Sequence, residues 1–343
     1  MTEPQFVIPC LDLEANVAWF EELGFLMRLI TPADAPAVAV LDGHGVTVRL
    51  DTSLAPGGAG LRLPAVDGAA PSRHVGSDGT VVEFVVDPVE LSLPANDPVF
   101  VLDRHADAGF GVGRAGMQYR DLVPQRHGGR YVASHIAIPV GGPVPDYVHH
   151  HHIRFQMIFC HAGWADLVYE DQGPAFRFEA GDCVLQPPHI RHRVLATSDE
   201  FEVVEIGSPA VHDTLRDHVL ELPTSVVDPT RDFGGQTFVW HRAADAPVGP
   251  WRFDGFSFEN FGIDVATSGL ASVGVVRTDA AATGAFEPTD EFTLWFVRAG
   301  EATLHRNDEA VQIGERDSIT LCPGERYDLQ ANGPLELLEV RLP

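Results

Sequence analysis

Residues 148–163, VHHHHIRFQMIFCHAG, and residues 181–192, GDCVLQPPHIRH, decide how this chain is read. In the first stretch four imidazoles open an apolar run that ends at Gly163, which places His149, His150, His151 and His152 at the mouth of a strand. Successive side chains on a strand point to opposite faces, so either His149 and His151 or His150 and His152 converge on one side. Gln156 shares the parity of the second pair. In the second stretch a strand runs into a proline-fixed bend that delivers His189 and His192. Two histidines one residue apart, with a third from a neighbouring strand, make a facial set that leaves coordination positions open, which is a site for chemistry on a divalent metal.

These residues resemble the two motifs of the cupin superfamily. The first motif, HxH followed by three or four residues, a Glu, six residues and a Gly, is met by His150, His152, Gln156 and Gly163 in its shorter form and by His149 and His151 in its longer one. The second is met by Gly181, Pro187 and His192. Two residues depart from it: Gln156 stands where the family has a metal-binding Glu, and His189 where it has a Gly. The resemblance implies a jelly-roll barrel holding one divalent ion, Fe(II) first and Mn, Ni, Zn or Cu as alternatives, with His192 and one of the two histidine pairs as ligands.

Outward from this centre, 343 residues are too many for one ordinary domain. A hydrophobic share of 45% with 21% charged residues reads as a soluble globular chain. The formal charge of −26 argues against nucleic acid or an anionic membrane as partner, since both need clustered Lys and Arg. The opening MTEPQFVIP lacks the pattern of a secretory signal, and no run approaches a membrane span. Cys10, Cys160, Cys183 and Cys322 form no CxxC, which suits the cytoplasm.

Residues 5–50 read as strand, helix and three strands, with Leu13, Val17, Phe20 and Leu23 at helical spacing and Gly24 as the stop. The stretch LDLEANVAWFEELGF, residues 11–25, is similar to a module of the glyoxalase and bleomycin-resistance (vicinal oxygen chelate) superfamily. SDGTVVEF, residues 77–84, is similar to the last strand of a second module, with Glu83 where that family often binds metal. The Gly-, Ala- and Pro-rich residues 54–71 between them are too short to complete that module, so residues 1–95 are expected to be a degenerate domain that is structural or part of an interface.

A proline-rich linker, residues 86–98, precedes an all-β region. Residues 96–225 are expected to form the metal-binding barrel, with Ile153, Phe155, Leu167, Val184 and Val203 in its core and a short helix over 211–223. Residues 226–343 resemble a second cupin barrel without ligands: Glu287, Thr289 and Thr293 fall at the first-motif ligand positions and Tyr327 at the last histidine. The expected fold class is therefore mainly β, two jelly-roll barrels behind a small α+β domain. Exposed sheet edges make a homodimer an expectation.

Losing the motif carboxylate leaves the ion its full charge, and a unit charge about 4 Å away at an effective dielectric near 20 amounts to about 4 kcal/mol, which favours an anionic chelating substrate. Arg154 could pair with a substrate carboxylate, and His135 could reach the metal pocket. Three-histidine cupins that this chain resembles include iron dioxygenases, so the expected activity is an Fe(II)-dependent dioxygenase on a small anionic chelating substrate, with Gln156 as weak ligand or hydrogen-bond partner. The alternatives are a redox-neutral isomerase, lyase or hydrolase using the metal as Lewis acid, and a barrel that binds a small ligand without turnover.

Overall fold

Alternating apolar residues become strands along nearly the whole chain, whose three-dimensional structure is a computed structural model of residues 1–343. It describes all of them except residues 1–3, 23, 44, 56–59, 65–69, 76–80, 86–90, 108, 114–115 and 246. Leu23, residues 77–80 of the expected Glu83 strand and residues 86–90 of the expected linker lie outside the described residues.

Near the N-terminus the apolar positions at helical spacing form the helix Leu13–Glu22, opened by Asp12, whose Oδ1 accepts the Ala15 N–H at 3.0 Å. It ends at Gly24, in the left-handed region at φ 90°. Leu13 and Phe20 bury against Ala39, Leu41, Val48 and Leu50 of the sheet beneath. That sheet runs in the order Leu26–Thr31, Val38–Gly43, Val46–Asp51, Gln5–Pro9, Gly60–Pro64, Val81–Val85, Ser72–Val75. Residues 54–71 thus supply a strand, Gly60–Pro64, parallel to Val81–Val85. Glu83 pairs with Arg73 at 3.4 Å.

The same sheet continues into the first barrel, because Leu26–Thr31 pairs with Asp213–Arg216, Ile30 opposite Thr214. The helix expected over 211–223 is replaced there by this strand, held on one side by the histidine tract and on the other by the N-terminal sheet. Tertiary pairing overrides a weak local helix pattern.

The first barrel sets the strands Phe176–Glu179, Trp164–Tyr169, His192–Thr197, His149–His152 and Asp213–Arg216 against a second sheet. In that sheet Cys183–Leu185, Phe155–Ala162, Phe201–Ser208, Val132–Ile138 and Gln118–Asp121 lie in order. Leu167, Val184 and Val203 fill the interior as expected, with Tyr169 and Phe178. Phe155, expected there too, faces the other way. With Met157 and Phe159 it packs against Phe292, Leu294, Phe296, Leu338 and Val340 of the second barrel, forming a core between the barrels. Each such buried Phe, Leu or Val contributes about 1.5–3 kcal/mol, which fixes the barrels against one another.

The second barrel is a nine-stranded sheet built on two long antiparallel strands, Phe292–Arg306 and Tyr327–Leu342. Each barrel also borrows a strand from the segment leading into the other: Val101–Asp103 pairs with Ser318–Leu321, and Val239–His241 with Cys183–Leu185. The chain is mainly β, two jelly-roll barrels behind a small α+β unit. No helix among the described residues is long and apolar enough to cross a membrane.

Candidate metal centre

Strand alternation and a bend together set the site. His149 and His151 turn into the first barrel, both buried, and meet His192, which lies opposite His149 across the antiparallel ladder. The candidate ligand atoms of the three all lie within 4.8 Å of one another, and among the described residues no other group of His, Cys, Asp or Glu does this. Nitrogens each ~2.1 Å from one ion sit ~3–4 Å apart, so small side-chain movements suffice to close the set.

The hydrogen bonds fix which nitrogen faces inward. His149 Nδ1–H donates to the Tyr147 carbonyl at 2.8 Å, and His192 Nδ1–H to the Ile190 carbonyl at 3.0 Å. A carbonyl only accepts, so in both rings the lone pair sits on Nε2. His151 Nδ1 shares a 3.1 Å hydrogen bond with the Thr214 hydroxyl. Outer partners of this kind set ring orientation and tautomer in histidine metal sites. Tyr169 stacks on His192 at 5.4 Å and donates its buried hydroxyl to Gln186 Oε1 at 2.6 Å. The donor set, three oriented neutral imidazoles in a buried cleft, fits a divalent ion.

These groups border a cavity of about 110 Å³, room for several waters or a small ligand, walled mainly by apolar side chains such as Ile136, Ile158, Leu167 and Phe201. Ala33 of the N-terminal unit forms part of the wall. Gln156 lines the cavity as its motif position suggests. Its Nε2 donates to Glu205 Oε1 at 2.5 Å, while its Oε1 is buried with no hydrogen-bond partner among the described residues. The cavity therefore does contain a carboxylate, carried by the strand Phe201–Ser208 in place of the motif position. The electrostatic preference for an anion that follows from losing the motif Glu is reduced accordingly.

The remaining sequence-derived candidates lie elsewhere. His150 and His152 project from the opposite face of the strand, toward His189. Arg154 leaves the site: its Nη1 pairs with Glu291 of the second barrel at 2.7 Å. The chain bends at Ile153 and Arg154 between two strands, which resets the alternation and separates Arg154 from the Gln156 face. His135 is buried between the barrels, its Nε2 2.9 Å from Glu202, beside Arg120 and Phe296. It does not border the cavity. Thr214, Tyr169 and Glu205 were missed. Glu205 could have been noticed from its place two residues after Val203, but Glu202 nearby offers the opposite parity, and the sequence does not choose between them.

In the second barrel Glu287 and Thr289 are exposed, Thr293 is buried, and the Tyr327 hydroxyl accepts the Cys322 N–H at 2.9 Å. Aromatic side chains, Trp295, Tyr327, Phe286 and Trp251, pack the interior. Buried Glu339 is gripped there by both Arg252 Nη2 contacts, 2.6 and 2.7 Å, and by Trp295 Nε1 at 2.9 Å.

No protein-family model and no curated protein matches the chain. Solved structures do. Oxalate decarboxylase from Lactobacillus farciminis, in a formate complex, aligns with a TM-score of 0.52 at 12% identity, over 74% of this chain and 88% of that one. Salicylate 1,2-dioxygenase from Pseudoaminobacter salicylatoxidans, with gentisate, aligns with a TM-score of 0.52 at 16% identity, over 74% and 83%. Oxalate decarboxylase from Bacillus subtilis aligns with a TM-score of 0.51 at 12% identity, over 75% and 79%. At these identities the likeness is one of fold.

Proposed function

We propose that this two-barrel cupin is a metal-dependent enzyme, with His149, His151 and His192 as ligands, and that it is an Fe(II)-dependent dioxygenase acting on a small anionic chelating substrate. The observation that carries the reading is the convergence of three imidazoles from two strands, each with Nδ1 already engaged. Ferrous iron, when bound, would let electrons pass from the organic substrate, which is oxidised, to dioxygen.

The chain's own residues bind and orient. Apolar walls take the body of the substrate and exclude water. Gln156, its amide fixed by Glu205, offers Oε1 as acceptor for a substrate hydroxyl beside the chelating oxygens. A buried acceptor of this kind discriminates strongly, because a substrate without the donor leaves it unmatched. The order of the N-terminal sheet, with Gln5–Pro9 parallel to Val46–Asp51, supports the glyoxalase-like reading of that unit. Its role is structural, since it braces the strand whose Thr214 holds His151.

One observation favours a redox-neutral second reading: Glu205 is a carboxylate at the cavity wall, able to take and return a proton as a lyase or isomerase requires. Oxygen consumption separates the two. Protein purified without added metal, analysed for metals and assayed against catechols, diketones, hydroxy acids and thiols, should carry about one iron per chain and consume oxygen with substrate. Equal turnover under argon defeats the dioxygenase reading.

A further inference from the structure

Half of the histidine tract is not used by the centre inside the barrel. His150 and His152 leave the opposite face of the same strand, and His189, from the bend after Cys183–Leu185, comes up against them. The His152 and His189 rings stack at 5.2 Å with 27° between planes, and the His150 ring lies 5.9 Å from His189. His189 is held against the tract by its backbone, N–H to the His151 carbonyl at 3.0 Å. It adopts φ 65°, a left-handed conformation that ordinarily falls to glycine. A histidine in that place gives up backbone comfort and gains no core packing, since His189 is exposed.

From this juxtaposition we infer a second, outward-facing site for a borderline transition-metal ion such as Zn(II), back to back with the inner one, formed by His152 and His189 with His150 as third donor. Imidazole donors select this class of ion over Mg(II) or Ca(II). The nearby Arg191 is committed to Asp217 at 3.3 Å and Glu170 at 3.8 Å, and Asp213 lies across the ladder from His152, adding negative charge on the same face. The outer donors are more widely spaced than the inner three, so they must rotate to close on an ion. The outer site is therefore the weaker.

The test is calorimetric titration of the full-length metal-free protein with Zn(II). Two equivalents are expected, the second weaker. His189→Gly, which relaxes the backbone and so does not threaten folding, and His152→Ala should each abolish the second equivalent and keep the first, whereas His192→Ala should abolish the first and keep the second. A single wild-type equivalent that His192→Ala abolishes and the outer variants keep, or a second equivalent that persists in both outer variants, overturns the outer site. Failure of the first equivalent alone speaks against the inner centre and leaves the outer one standing.

Discussion

The two barrels place a carboxylate at the same point of the same ladder and surround it differently. In the first, Gln156 lies opposite Gly207 and Ile158 opposite Glu205; in the second, Thr293 lies opposite Arg341 and Trp295 opposite Glu339. Glu205 meets an amide and an open cavity with three imidazoles on its wall. Glu339 meets a guanidinium, Arg252, within an aromatic fill. A β-barrel interior of this size either leaves room for a small ligand or is packed with side chains. The second barrel has taken the packed solution and supplies its buried carboxylate with a cation from its own chain. The difference teaches that the barrel without the histidines differs in space and charge as well as in ligands: its interior is filled by aromatic side chains and its carboxylate is held by a guanidinium.

The largest expected effect tests that replacement. Arg252→Ala leaves Glu339 buried with the Trp295 and Trp251 N–H groups, at 2.9 and 3.4 Å, and Arg341, whose Nε remains 3.3 Å away. Breaking a buried pair costs ~3–5 kcal/mol, and the remaining arginine puts this variant near the low end. A fall in the denaturation midpoint with unchanged metal content is expected; a variant as stable as the parent would show that the guanidinium is not what holds the packed barrel together.

Next in size is the outer support of the centre in the first barrel. Thr214→Val keeps the shape of the strand and removes the hydrogen bond to His151. Metal affinity, read by competition with a chelator, should fall ~10–100-fold with the fold intact. No change would mean that His151 is oriented by packing alone.

The smallest effect concerns what joins the barrels. Burial works to raise the Glu291 pKa, but the Tyr131 hydroxyl and the guanidinium groups of Arg154 and Arg130 outweigh it and hold the carboxyl below its usual range. A depressed carboxyl contributes stability that is present above the unfolded value, ~4.3, and lost as pH falls through the folded one. With a quarter of the side chain exposed, the contribution is under ~1 kcal/mol. Urea midpoints measured from pH 7 to pH 3 should show this loss in the parent and not in Glu291→Gln. Parallel curves would remove Glu291 as the acid-sensitive link.

Much of this was legible in the chain. The apolar run of residues 153–160 and the pattern of residues 201–206 point to strands, and HxH with the histidine after PPHIR points to a metal set, because both are properties of neighbours in sequence. Alternation restricted the ligands to His149 with His151 or His150 with His152 and could go no further. Which pair faces inward depends on register, since a slip of one residue exchanges the faces of a strand. The bend at Ile153 and Arg154 changed parity between the histidines and Gln156. It also carried Arg154 to Glu291, 137 residues away in sequence. The partnerships of Gln156 with Glu205, His151 with Thr214 and Glu339 with Arg252 are contacts between separate segments. Local sequence fixes which way a side chain can point along its own strand; only the packing of strands against one another decides what it meets there.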